Sequence, residues 1–186
     1  MKVKPSAKPG CVVVEVDRQA EQLLASAGSP APSPFRLKRI LVPVDFSDCS
    51  KKALQYAVPF ARQFNASLVL LNVVQVSYPA GEFGPVEPPL PDTVMEDTSR
   101  KELETLAATE IAGLAPVTTL VRVGRPADEI VLAASDVQAD LLIISTHGHT
   151  GLKHVLLGST TEHVVRRAPC PVLTVREHEH EFIAVG

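Results

Sequence analysis

Tryptophan is absent and aromatic residues make up only 4% of the chain, so the 45% of hydrophobic residues must build any core from Val, Leu, Ile and Ala. That palette suits buried parallel strands covered by helices. Cysteine is scarce as well: Cys11, Cys49 and Cys170 are odd in number and far apart, which excludes a disulfide framework or a CxxC metal pair. A reducing compartment fits, and the expected location is the cytoplasm. Positive charge is not in excess, since the formal net charge is −3; a duplex binder needs a cationic field to neutralise phosphates, so nucleic acid is not an expected partner. Long apolar runs are missing too. Leu68–Val74 and Ala139–Ile144 fall well short of the roughly 18 to 20 residues of a membrane helix. The stretch Cys11–Val14 is too short for a secretory h-region, so neither a membrane span nor a signal peptide is expected.

What is present is a regular alternation. A length of 186 residues suits one globular domain plus some extra sequence. Residues 1–35 read as an extension: a strand candidate (Val12–Val16), a helix candidate (Arg18–Ala27) and a proline-rich tether, Ser29-Pro-Ala-Pro-Ser-Pro34. The main domain is expected over 36–177, and 178–186 read as a tail.

Within the domain, Arg39–Asp45 is the first strand. Next comes a helix with apolar positions Ala53, Tyr56, Ala57, Phe60, Ala61 and Phe64, capped by Ser47 or Asp48 and kinked at Pro59. Ser67–Val74 is a second strand. The proline-studded stretch from Ser77 to Asp92 reads as a long loop. A helix is expected over Asp92–Ala112 with Gly113 as its cap, then a strand at Val117–Val123. Pro126 suits the first position of the next helix, Ala139–Ser145 is the fourth strand, and Ser159-Thr-Thr-Glu162 matches a capping box. Val172–Val175 closes the series. Such β-α alternation predicts a mainly parallel sheet with helices on both faces.

The chemistry concentrates in Ser145–Thr160, between a buried strand and a helix start. Glycines let backbone amides approach a phosphate, the helix N-terminus offers unpaired N–H groups, and the hydroxyls of Ser159 and Thr160 add donors. The segment is neither a Walker loop nor a GxGxxG fingerprint, and by spacing alone Gly148, Gly151 and Gly158 are equally compatible with a tight strand-to-helix connection. Asp45 is open to two readings, a ligand contact or a cap for the turn into the first helix. His147, His149 and His154 lack accompanying carboxylate or thiolate partners, so no protein-held metal is expected. Cys170 reads as a small, partly buried thiol, and His178 and His180 as members of a solvated charged run. No nucleophile elbow, HExxH helix or paired carboxylates are visible, so no dedicated catalytic apparatus is assigned.

Three segments together resemble the universal stress protein family: Ile40-Leu-Val-Pro-Val-Asp45, Gly124-Arg-Pro-Ala-Asp-Glu-Ile130, and Ser145-Thr-His-Gly148 with Leu156-Leu-Gly-Ser-Thr-Thr-Glu162 and Pro169-Cys-Pro-Val-Leu173. The resemblance covers roughly residues 37–177. It implies a three-layer, doubly wound, Rossmann-like α/β fold, the architecture of the adenine nucleotide α-hydrolases, with five parallel strands in the order 3-2-1-4-5. A ligand would sit at the switch point between its first and fourth strands.

ATP-binding members of that family carry Gly-x2-Gly-x9-Gly-(Ser/Thr). Gly148, Gly158 and Ser159 fall in that register, while Ser145 stands at the first glycine and brings a Cβ toward the site. By resemblance, Pro43, Val44 and Asp45 would line the adenine and ribose side, Val73 or Val74 and Ile144 would give apolar contact, and Gly148, Gly158, Ser159 and Thr160 would hold phosphates. The implied ligand is ATP or another adenine nucleotide, with Mg²⁺ as a possible companion. The implied assembly is a homodimer through Val172–Val175, acting as a stress-response module on an unidentified protein partner, with slow ATP hydrolysis at most. Two rivals stand beside this: a nucleotide-free dimeric interaction protein that lost affinity through Ser145, and an α-hydrolase-type enzyme, which would need a further substrate-binding domain.

Overall fold

The computed structural model describes residues 2–5, 12–15, 36–75, 93–148 and 157–176. The helix expected at 18–27, the proline tether, the 77–92 loop, His149, Gly151, His154 and the 178–186 tail lie outside the described residues. The chain divides into two compact units, 1–36 and 37–186. In the first, β1 (Lys2–Pro5) pairs antiparallel with β2 (Val12–Glu15), Lys2 opposite Glu15. The valine-rich run is thus a strand, and its partner at Lys2–Pro5 carries no sequence signal of its own.

The second unit holds a parallel sheet of β3 (Arg39–Pro43), β4 (Ser67–Val74), β5 (Val117–Val123), β6 (Leu141–Ser145) and β7 (Val172–Val175). They lie in the order β5-β4-β3-β6-β7, the 3-2-1-4-5 winding implied by the resemblance. The first and fourth strands are two residues shorter than expected. After Pro43, which carries no N–H, the chain turns toward the helix that begins at Asp48; before Leu141, the Asp140 carboxylate accepts from the amides of Lys38 and Arg39 at 2.7 and 2.9 Å.

Side chains alternate across this sheet and build two cores. On one face Ile40, Val42, Leu68, Leu70 and Ile143 pack against α1 (Asp48–Phe64) and α2 (Thr93–Leu106). On the other, Leu41, Leu71, Leu142 and Ile144 pack against α3 (Pro126–Asp136) and α4 (Ser159–Arg167). Leu54 of α1 is fully buried, and truncating such a side chain to alanine costs about 2–5 kcal/mol.

The helix ends reflect local chemistry. Ser47 caps α1 by accepting from the Ser50 amide, and α1 runs as one helix with Pro59 inside it. Pro126 occupies the first turn of α3 as expected. Two expectations are corrected. The helix after the proline-rich stretch does not stop at a Gly113 cap: α2 passes into a π-turn over Ala107–Ile111, and the left-handed cap is Ala112 at φ 44°, with Gly113 following at φ 77°. The hydroxyls of Thr105 and Thr109 donate back to the carbonyls of Lys101 and Thr105 at 2.8 and 3.0 Å, the kind of competition that bends a regular helix. The capping box at 159–162 does not form either. Gly158 is the N-cap with no side-chain bond, and Glu162 instead pairs with Arg166 one turn on, at 2.9 Å.

Outside the cores, Arg122 on β5 ties the sheet to α3. It meets Asp136 at 2.5 Å and Glu129 at 3.4 Å, and the Asp136 bond above all raises its pKa against the opposing effect of burial.

Candidate functional site

Winding reverses between β3 and β6, and beyond the carboxyl ends of those strands lies a cavity of about 540 Å³. Such a crevice is where open parallel sheets take ligands. Pro43, Val44, Asp45, Val73, Ile144, Ser145, Gly148, Gly158, Ser159 and Thr160 all line it.

The β3 side is fixed by polar ties. The Val44 amide donates to the Leu71 carbonyl at 2.8 Å, and the Val44 carbonyl accepts from the buried Asn72 side chain at 2.8 Å. Asp45 then turns the chain: its Oδ1 accepts from the Ser47 amide at 3.1 Å and the Ser47 hydroxyl at 2.5 Å. Between them Phe46 takes a left-handed conformation, φ 66°. Asp45 therefore shapes the turn into α1 while lining the cavity.

The other wall comes from β6 and α4. The Thr146 amide donates to the Val175 carbonyl at 2.8 Å, and the Thr146 carbonyl accepts from the Gly158 amide at 2.9 Å, drawing the start of α4 back against the end of β6. Thr161, 4% exposed, donates its hydroxyl to the Ser145 carbonyl at 2.8 Å and pins the first turn of α4 from inside. The first amide of this helix to bond within it is that of Glu162, to Gly158 at 2.9 Å. The amides of Ser159, Thr160 and Thr161 precede that bond, and no side chain caps them. Unpaired amides and the positive end of the helix dipole together favour an anion.

Gly148 owes its identity to close approach. A Cβ there would collide with Oδ2 of Asp45. At Gly158 a Cβ would stand 3.2 Å from the Thr146 carbonyl oxygen. Ser145 is buried at the end of β6 and lines the cavity, at the position of the first glycine in the pattern the sequence resembles.

Sequence reasoning missed Asn72, Thr146 and Thr161. Asn72 had a readable signal, an amide side chain in an otherwise apolar strand, which needs a buried partner. His147 also lines the cavity, with Nδ1 3.0 Å from the Thr146 hydroxyl, and with Asp45 it makes up the ionisable lining among the described residues. No group of three metal-ligating side chains occurs among the described residues, and no described helix is long and apolar enough to cross a membrane. Cys170 is partly buried, and that burial, assisted by Asp140, raises its thiol pKa.

Comparison with known proteins places this geometry in context. The family model described as the universal stress protein family matches residues 36–176. Universal stress protein MJ0531 of Methanocaldococcus jannaschii is 33% identical over 144 residues, covering 77% of this chain and 85% of that one. The solved universal stress protein UspA from Lactobacillus plantarum is 30% identical, with a TM-score of 0.59 over 76% of this chain and 99% of its own. A universal stress protein solved in complex with cAMP is 25% identical, with a TM-score of 0.57 over 77% of this chain and all of its own.

Proposed function

Because the chain belongs to the universal stress protein family, we propose that the cavity between β3 and β6 binds an adenine nucleotide and that the bound state is what a stress-response partner reads. The observation carrying this reading is that the uncapped amides of Ser159, Thr160 and Thr161 head a helix whose first residues share one cavity with Pro43, Val44 and Asp45. Anion-binding amides thus stand opposite a mixed apolar and carboxylate wall, the pairing a nucleotide requires. The relative solved with cAMP supports the adenine class.

In this reading adenine and ribose lie toward Pro43, Val44 and Asp45, with Val73 and Ile144 against the apolar parts. Phosphates rest on Gly148, Gly158, Ser159 and Thr160. The ligand is ATP, ADP or AMP, Mg²⁺ accompanies the polyphosphates, and any hydrolysis is slow. Two copies pair through β7, whose Val172, Leu173 and Thr174 are half-buried within one chain. The protein works in the cytoplasm, with residues 1–35 and 178–186 as appendages to a domain over 36–177.

Calorimetric titration with ATP, ADP and AMP, with and without Mg²⁺, tests the reading, and Gly158→Val is its control. Gly158 has an ordinary φ of −66°, so valine leaves the backbone unstrained, crowds the Thr146 carbonyl and projects into the phosphate position. Binding should vanish while the circular dichroism spectrum stays that of the wild type. An unchanged titration in this variant rejects the site.

A further inference from the structure

We infer that Ser47, which does not itself line the cavity, is a positioning residue for its ligand and acts through Asp45. The inference rests on the nucleotide reading above. Two donors of Ser47, its amide at 3.1 Å and its hydroxyl at 2.5 Å, converge on Oδ1 of Asp45. The same hydroxyl oxygen accepts from the Ser50 amide at 3.3 Å and so begins α1. Phe46 between them is held at φ 66°, a conformation unfavourable for a bulky residue that persists only where its surroundings over-determine it. The other oxygen, Oδ2, fills the space a Cβ on residue 148 would need.

One hydroxyl therefore serves two structures at once, the first turn of a helix and the rotamer of a carboxylate. Clamped at Oδ1, the carboxylate holds one orientation on the cavity wall, with Oδ2 against Gly148; without the clamp that orientation is less well defined. Hydrogen bonds to an ionised acceptor are among the stronger ones. Releasing them should weaken binding beyond what the loss of a helix cap explains.

Three variants of the full chain separate these effects, each titrated with AMP and with ATP plus Mg²⁺. Ser47→Thr keeps both functions and should bind within about twofold of the wild type. Ser47→Ala loses the cap and the hydroxyl bond to Oδ1 and keeps only the backbone amide donor: its unfolding midpoint should fall, and Kd should rise about tenfold, the weight of a charge-assisted hydrogen bond. Ser47→Asp is decisive. Aspartate caps a helix as well as serine does, so the unfolding midpoint should stay near that of the wild type, yet a second carboxylate beside Asp45 repels it, and Kd should rise at least as much as in Ser47→Ala. Wild-type affinity in Ser47→Asp, or in Ser47→Ala, overturns the positioning role and leaves the nucleotide reading standing. Absence of binding by the wild-type chain brings down the nucleotide reading itself, and this inference with it.

Discussion

Oδ2 of Asp45 occupies the space that a Cβ on Gly148 would fill. Residues 103 positions apart in sequence thus meet at the end of the sheet, one from the turn after β3 and one from the segment after β6. Gly148→Ala must push the carboxylate aside, because a methyl group and Oδ2 cannot share that volume. The expected outcome is a loss of nucleotide affinity of about tenfold or more, with a fall in stability of about 1 kcal/mol as the Asp45 side chain relaxes. Paired calorimetry and urea unfolding measure the two effects separately.

Thr161→Val removes a donor while keeping the shape. The Ser145 carbonyl then loses its 2.8 Å bond at a site where Thr161 is 4% exposed. An unsatisfied buried acceptor costs about 1–3 kcal/mol, so the urea midpoint should drop accordingly. The start of α4 also loses its anchor to β6, and nucleotide affinity should fall with it; Thr161→Ser should recover both.

Gly124 sits at φ 151°, and a Cβ there would lie 3.0 Å from Cγ of Glu129. Gly124→Ala is therefore expected to strain the turn and displace Glu129 from Arg122, destabilising the domain by about 1–3 kcal/mol. Because Arg122 keeps its 2.5 Å bond to Asp136, the sheet should survive the change. Chemical denaturation gives the magnitude, and an unchanged near-ultraviolet spectrum verifies the fold.

Cys170 provides the pH dependence. Burial raises its pKa above the ordinary value of 9.0, so the folded protein holds this proton longer than the unfolded chain does. The resulting contribution to stability is whole below pH 9.0 and is lost as pH climbs toward the folded value. Stability measured from pH 8 to 10 should decline in the wild type more steeply than in Cys170→Ala. Alkylation at neutral pH should be slower at Cys170 than at a free model thiol.

The parts of the fold most legible in the sequence were those governed by local patterning. Ser67–Val74 and Val117–Val123 were bounded correctly because β-branched runs end in polar or proline-rich turns at both places. The residues that the resemblance assigned to the site line one cavity, although glycine spacing alone left a plain strand-to-helix connection equally open. The failures share a cause: competing partners that no local pattern reveals. Ser159 and Glu162 have the right spacing for a capping box, but Gly158 already supplies the extended cap conformation and Arg166 offers Glu162 a partner. Gly113 attracted the cap assignment, yet the π-turn brings Ala112 to the left-handed position one residue earlier.

The bond from the Gly158 amide to the Thr146 carbonyl, 2.9 Å long, has a consequence for how tolerant the chain is of editing. It joins the two stems of the segment in between, so the ends of that segment meet whatever its length. Inserting a few residues there alters the closure entropy by only a few tenths of a kcal/mol. The number of residues between the stems can therefore change while the amides at the head of α4 keep their address.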